Sequence, residues 1–156
     1  MAHVRVQEAV FDVGEEIGLL TRGRRDVGAV ATFVGQVREA NDGAAVTRMT
    51  LEHYPGMTER ALEDICRQAE ARWDLCDIRV VHRVGPLEPG EAIVLVAVSS
   101  AHRGEAFAAC EFVMDYLKTR APFWKKEETP EGTRWVEARA SDDEAAARWE
   151  DGAGRG

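Results

Sequence analysis

Glu91-Ala-Ile-Val-Leu-Val-Ala-Val-Ser-Ser100 is followed, after Ala101-His-Arg103, by Gly104-Glu-Ala-Phe-Ala-Ala-Cys-Glu-Phe-Val-Met-Asp-Tyr-Leu-Lys-Thr-Arg120. The first run is β-branched and apolar and reads as the most apolar strand of the chain. The second places Phe107, Cys110, Val113, Met114 and Leu117 at helical spacing. That spacing predicts a helix from about Arg103 to Arg120, with those five residues as its buried stripe and Lys118 at the edge of the stripe. Pro122 should stop the helix and leave Lys118 on its last turn. Upstream, Ile78 to Val84 reads as a strand. Glu88-Pro-Gly90 has proline and glycine where a type II turn wants them, so the two strands should pair as a hairpin.

Farther out, residues 3–10 alternate enough for a strand, and Asp12 with Glu15 resembles a helix N-cap with its box partner, for a helix to about Leu20. Residues 27–37 are β-branched and apolar, hence a buried strand, and Val46 to Tyr54 alternates. Thr58 should cap a helix to about Trp73, with Ala61, Leu62, Ile65, Ala69 and Trp73 on one face. Thr129-Pro-Glu-Gly132 should join two short strands, 123–128 and 133–138. Ser141-Asp-Asp-Glu144 should cap a final helix to about Trp149. Strand pairs mixed with helices predict an α+β fold with a mixed or mainly antiparallel sheet. Residues 1–150 should form a single domain, and residues 151–156 a disordered tail.

The formal net charge of -8 and a sequence pI near 5.1 argue against general nucleic-acid binding. No apolar run approaches the ~20 residues of a membrane span, and the first residues lack a signal-peptide core, so the reading is cytoplasmic. Cys66, Cys76 and Cys110 are odd in number and widely spaced, without a CxxC. They predict neither a disulfide framework nor a zinc site, and no metal ligand set is assigned.

Against that acidic background, Lys118 to Lys126 carries four cations (Lys118, Arg120, Lys125 and Lys126) and no acid. A lysine near other cations or partly desolvated can act as nucleophile or proton carrier, or stabilise a developing anion. The same pattern also suits a solvated helix end, with Asp115 pairing Lys118 at i+3. His102-Arg103, between strand and helix, offers an arginine fork at a helix N-terminus, suited to phosphate or carboxylate, or else a polar cap. Arg38, directly after a strand, could bring a guanidinium to the same anion or be an exposed loop residue. His53, His82 and Arg83 read as strand residues. There is no Walker A, GxGxxG or GxSxG motif.

Leu51-Glu-His-Tyr-Pro-Gly-Met57, Ser100-Ala-His-Arg103 and Met114-Asp-Tyr-Leu-Lys-Thr-Arg-Ala-Pro-Phe-Trp-Lys125, in that order, resemble the large, catalytic subunit family of molybdopterin synthase. The resemblance runs from about Val27 to Trp149. It implies an α/β hammerhead-like fold with an added small antiparallel β subdomain. It also implies conversion of cyclic pyranopterin monophosphate to molybdopterin, without a resident cofactor. The sulfur would come from the C-terminal Gly-Gly thiocarboxylate of a small ubiquitin-like partner subunit, in a homodimer within a 2+2 heterotetramer. Lys118 and Lys125 match the family's catalytic lysines. Arg38, His102 and Arg103 match residues of the anionic substrate pocket, and Gln36, Val37, Lys126 and Glu127 flank matched binding positions. A pocket shared across the dimer would let Arg38 or His102-Arg103 act on the neighbouring subunit's site. Phe123 and Trp124 could wall the groove for the partner's tail, or pack in the core. The competing readings are a non-catalytic adaptor that docks a ubiquitin-like protein, and an enzyme acting on another phosphorylated metabolite.

Overall fold

The computed structural model describes residues 2–41, 43–136 and 140–151. In chain order the elements are β1 (Ala2–Gln7), α1 (Val13–Thr21), β2 (Ala29–Gln36), β3 (Ala40–Asn41), β4 (Ala44–Ala45), β5 (Arg48–His53) and α2 (Met57–Arg72). They continue with β6 (Asp77–Arg83), β7 (Gly85–Leu87), β8 (Ala92–Ser100), α3 (Arg103–Arg120), β9 (Phe123–Thr129), β10 (Gly132–Val136) and α4 (Ala140–Asp151). The expected disordered tail lies outside the described residues, except for Asp151, which closes α4.

The first sheet has the order β1-β6-β8-β2. β1 runs parallel to β6, and the other pairs are antiparallel. β8 lies inside it, with Val94, Val96 and Val98 in the core shared with α2 and α3. Leu95 and Ala97 join a separate cluster with Leu20 of α1 and Val81. Burial on both faces removes any reason for polar alternation, which is why this strand is so uniformly apolar. The predicted hairpin is present, with Asp77 opposite Ser99. Its connection is more than a turn, because β7 leaves the first sheet to pair with β5. Gly85 makes the departure possible with φ +82, and Pro86 is tolerated because β7 is an edge strand. Three residues are too few for a periodic signal.

The second sheet, β10-β9-β5-β7, is antiparallel throughout. It is the small β subdomain that the resemblance implies. Val37, Met49, Leu51, Val84 and Leu87 form its own core, and Val6, Ile93 and Phe123 touch both this core and that of the first sheet. The mixed α and β architecture thus follows the expected class, with the two sheets meeting along that seam.

Asp12 caps α1 as predicted, accepting from the Glu15 N–H at 2.8 Å. The same helix turns Glu16 inward, where it is buried against Arg5 of β1 (2.6 Å) and Arg79 of β6 (3.0 Å). Two expectations need correction. Thr58 does not cap α2. Gly56 does, at φ +85, with the Glu59 carboxylate accepting from its N–H at 2.9 Å. The Thr58 hydroxyl instead accepts from the Tyr54 N–H and donates to the Pro122 carbonyl, tying the start of α2 to the end of α3. Phe107 is 66% exposed rather than buried, and Phe112 and Tyr116 are the large buried aromatics of α3. The helix touches β2 and β8 on one side and α2 and α4 on the other. Its buried arc is therefore rotated away from Phe107. No helix among the described residues is long and apolar enough to cross a membrane.

Candidate functional site

α3 ends at Arg120, as Pro122 requires, and the chain passes directly into β9. This short passage brings Lys118, in the last turn of α3, and Lys125, on β9, to the same cavity along the seam. The cavity has two lobes. The larger, about 390 Å³, is walled by Phe33, Val34, Leu51, Ile93, Leu117 and Phe123 among others. The smaller, about 210 Å³, is lined by Gln36, Val37, Arg38, Asn41 and Glu127. Lys118, Lys125, Asp142, Gln36, Met49 and Ile93 line both, so the two lysines stand where the lobes join.

The four cations of residues 118–126 separate once folded. Arg120 lies over the Tyr116 ring at 3.9 Å and pairs with Glu150 of α4 at 2.9 Å. Lys126 lies on the opposite face of β9 from Lys125, 5.5 Å from the Trp135 ring. Strand alternation sorts the aromatics in the same way: Phe123 lines the larger lobe, whereas Trp124 is turned to an outer surface beside Glu52, His53 and Trp135. Asp115, which the spacing offers to Lys118, bonds instead to α4, accepting from Trp149 Nε1 at 2.7 Å.

Of the residues singled out in the sequence, Lys118, Lys125, Gln36, Val37, Arg38 and Glu127 therefore converge on one cavity. Lys126, His102 and Arg103 do not. Arg103 opens α3 and His102 is its N-cap, both exposed. Lys118 is in the last turn of that helix, roughly 22 Å away at the 1.5 Å rise of an α-helix. One copy of the chain thus places Arg38 with its own lysines and keeps His102-Arg103 at a distance.

Sequence reasoning missed three contributors. His82 was read as an ordinary strand residue, yet it is buried in the wall of the larger lobe and stacks on Phe123 with ring centroids 3.8 Å apart. Its Nδ1 is 2.8 Å from the Arg83 carbonyl, which can only accept, so Nδ1 carries the proton in the neutral ring. Burial, aided by the charges of Lys118, His53 and Lys125, pushes its pKa down to about 4 and keeps it neutral at pH 7. Asn41 and Asp142 are the other two. Nothing in a polar loop or an acidic helix start marks them as lining a cavity.

The cysteines stay apart from this chemistry. Burial pushes Cys66 up to about 12 and Cys110 up to about 11, and also raises Cys76, so each thiol stays protonated near neutrality. Among the described residues no group of three or more His, Cys, Asp or Glu is placed to hold a metal ion.

The MoaE protein family matches residues 6–120. A molybdopterin synthase catalytic subunit from Ralstonia nicotianae is 63% identical over 149 residues, covering 96% of this chain and 85% of that protein. One from Escherichia coli is 60% identical over 139 residues, covering 89% and 92%. The solved structure of a molybdopterin biosynthesis MoaE protein from Burkholderia ambifaria superposes with a TM-score of 0.82 at 55% identity, covering 96% of this chain and 99% of that one. A molybdopterin synthase structure from Staphylococcus aureus gives 0.78 at 31%, covering 85% and 95%. On family match, identity over nearly the whole length and fold together, this chain belongs to the MoaE family, whose named relatives are catalytic subunits of molybdopterin synthase.

Proposed function

We propose that this chain is the sulfur-installing subunit that converts cyclic pyranopterin monophosphate into molybdopterin. The sulfur donor is the C-terminal Gly-Gly thiocarboxylate of a small ubiquitin-like partner. The observation that carries this reading is the convergence of Lys118 and Lys125, from different elements, at the join of an apolar lobe and a polar one. The apolar lobe suits an extended, uncharged peptide tail, whose sulfur would arrive beside the two ammonium groups. The polar lobe, with Arg38 in its lining, suits the substrate's cyclic phosphate.

As the thiocarboxylate sulfur attacks the pterin side chain, one lysine stabilises the negative charge that develops while the cyclic phosphate opens to a monoester that stays on the product. The other carries the protons that must move as a water is lost from the side chain and another water hydrolyses the acyl–sulfur bond, leaving sulfur on the pterin and a carboxylate on the partner. Gln36 and Val37 line the polar lobe beside Arg38. His102 and Arg103 are too far along α3 to reach their own chain's lysines, so they serve the cavity of a second copy. A homodimer carrying one small subunit at each end, located in the cytoplasm, completes the reading.

A single-turnover assay tests it, combining the chain, the thiocarboxylated partner and cyclic pyranopterin monophosphate, with product read by mass spectrometry. The expected result is dithiolene product with two sulfurs per pterin. A stable complex with the partner but no product would instead identify a docking adaptor. No complex with a Gly-Gly-tailed partner would favour an enzyme acting on a different phosphorylated metabolite.

A further inference from the structure

Arg38 is held from behind by a relay of polar contacts. Its Nη2 donates to Asn41 Oδ1 at 3.2 Å, and Asn41 Nδ2 donates to Glu127 Oε2 at 3.0 Å. Glu127 Oε1 accepts from Arg134 Nε at 3.2 Å and from Arg134 Nη2 at 3.0 Å. Arg134 Nη2 also donates to the Asn41 backbone carbonyl at 2.9 Å. Asn41 and Glu127 are buried, and Arg134 approaches them from β10. Because a carboxylate only accepts, the Asn41 amide has one orientation: nitrogen toward Glu127, oxygen toward Arg38.

Charge explains why an asparagine stands in the middle. A buried carboxylate beside an anion-binding lobe would repel a phosphate unless it is balanced. Arg134 supplies that balance at Oε1, the carboxylate oxygen that does not meet the Asn41 side chain. The neutral amide then transmits the orientation of Glu127 without placing a negative charge on the Arg38 guanidinium. One donor of Arg38 is used in the relay, and its other N–H groups remain to meet a phosphate.

We propose that Asn41 and Arg134 are positioning residues for substrate. Acting through Glu127, they aim Arg38 into the smaller lobe and preserve its full positive charge for the substrate's phosphate. The inference rests on the reading of that lobe as the phosphate site. Glu127 lines the same lobe and, in this reading, serves it by holding Arg38 through Asn41.

Steady-state kinetics of the complete complex test the proposal. Asn41→Asp and Arg134→Gln should each raise KM for the pterin phosphate about tenfold while kcat stays within about twofold, and Arg134→Lys should recover part of the loss. Arg38→Ala should raise KM at least as much. Combining Arg134→Gln with Arg38→Ala should raise KM by clearly less than the product of the two single effects, because the aiming of Arg38 is already lost and only the unbalanced Glu127 charge remains. Melting curves check that each variant is folded. Arg134 is partly exposed, so Arg134→Gln still carries the test if Asn41→Asp does not fold. If Arg38→Ala raises KM but Asn41→Asp and Arg134→Gln do not, or if the double variant is additive, the relay is overturned and the phosphate reading survives. If Arg38→Ala leaves KM unchanged, the phosphate reading falls and takes the relay with it.

Discussion

Lys118→Ala is expected to slow single-turnover product formation by about 100-fold or more, equivalent to roughly 2.7 kcal/mol of barrier, while leaving complex formation with the small subunit intact. Lys118 is exposed on the last turn of α3, at the join of the two lobes. Alanine at an exposed helical position costs the fold little, so lost turnover in this variant reports on chemistry. Of the neighbouring cations, Arg120 is paired with Glu150 and Lys126 lies on the far face of β9, so neither can substitute. Turnover within about threefold of wild type, well under 1 kcal/mol of barrier, would remove Lys118 from the mechanism.

The largest effect on stability is expected away from the cavity, at Glu16. Its carboxylate is buried between Arg5 and Arg79, and the Arg79 side chain is itself only 12% exposed. Glu16→Leu would leave that guanidinium without a counter-charge beneath α1. Breaking a buried pair from one side costs about 3–5 kcal/mol. Arg5 is half exposed and can turn to water, which places the expectation near the lower end, about 3 kcal/mol. For a chain of this size that corresponds to a fall in Tm of about 10 °C. Glu16→Gln, which keeps the shape and some hydrogen bonding, should lose less. Denaturant titration decides it, and a loss below about 1 kcal/mol for Glu16→Leu would mean that Arg79 finds another partner.

The legible parts of the fold were those with a long period. The run from Glu91 to Arg120 announced a buried strand, a helix and its stop at Pro122, and the structure places them there. The rotation of α3 was hidden because it buries a wide arc against both a sheet and two helices. A stripe drawn from sequence favours Phe107 as readily as Phe112. β7 was hidden by its length, and by a turn signal that fits equally well with or without it.

At the site, charge contrast pointed to Lys118 and Lys125, and a place just after a strand to Arg38, without revealing which cations would face the same space. That outcome depends on strand alternation, which separates Lys125 from Lys126 and Phe123 from Trp124. His82, Asn41 and Arg134 matter through contacts between residues far apart in the chain, and no local pattern records those. The resemblance alone allowed either Arg38 or His102-Arg103 to act on a neighbouring subunit. The geometry keeps Arg38 with its own Lys118 and holds His102-Arg103 at the far end of α3, and it is our proposal that a second copy contributes that pair.

The most direct test of this divided site is a mixed population of Arg103→Ala and Lys118→Ala chains, each nearly inactive alone, assayed for dithiolene product with the small subunit. Under two-fold symmetry, half of randomly mixed dimers carry both chains, and one of their two sites then has every residue intact. Recovery to about a quarter of wild-type activity is the predicted result, whereas a mixture of Arg38→Ala with Lys118→Ala should recover nothing. No recovery in the first mixture, or recovery to about a quarter of wild-type activity in the second, would contradict the account.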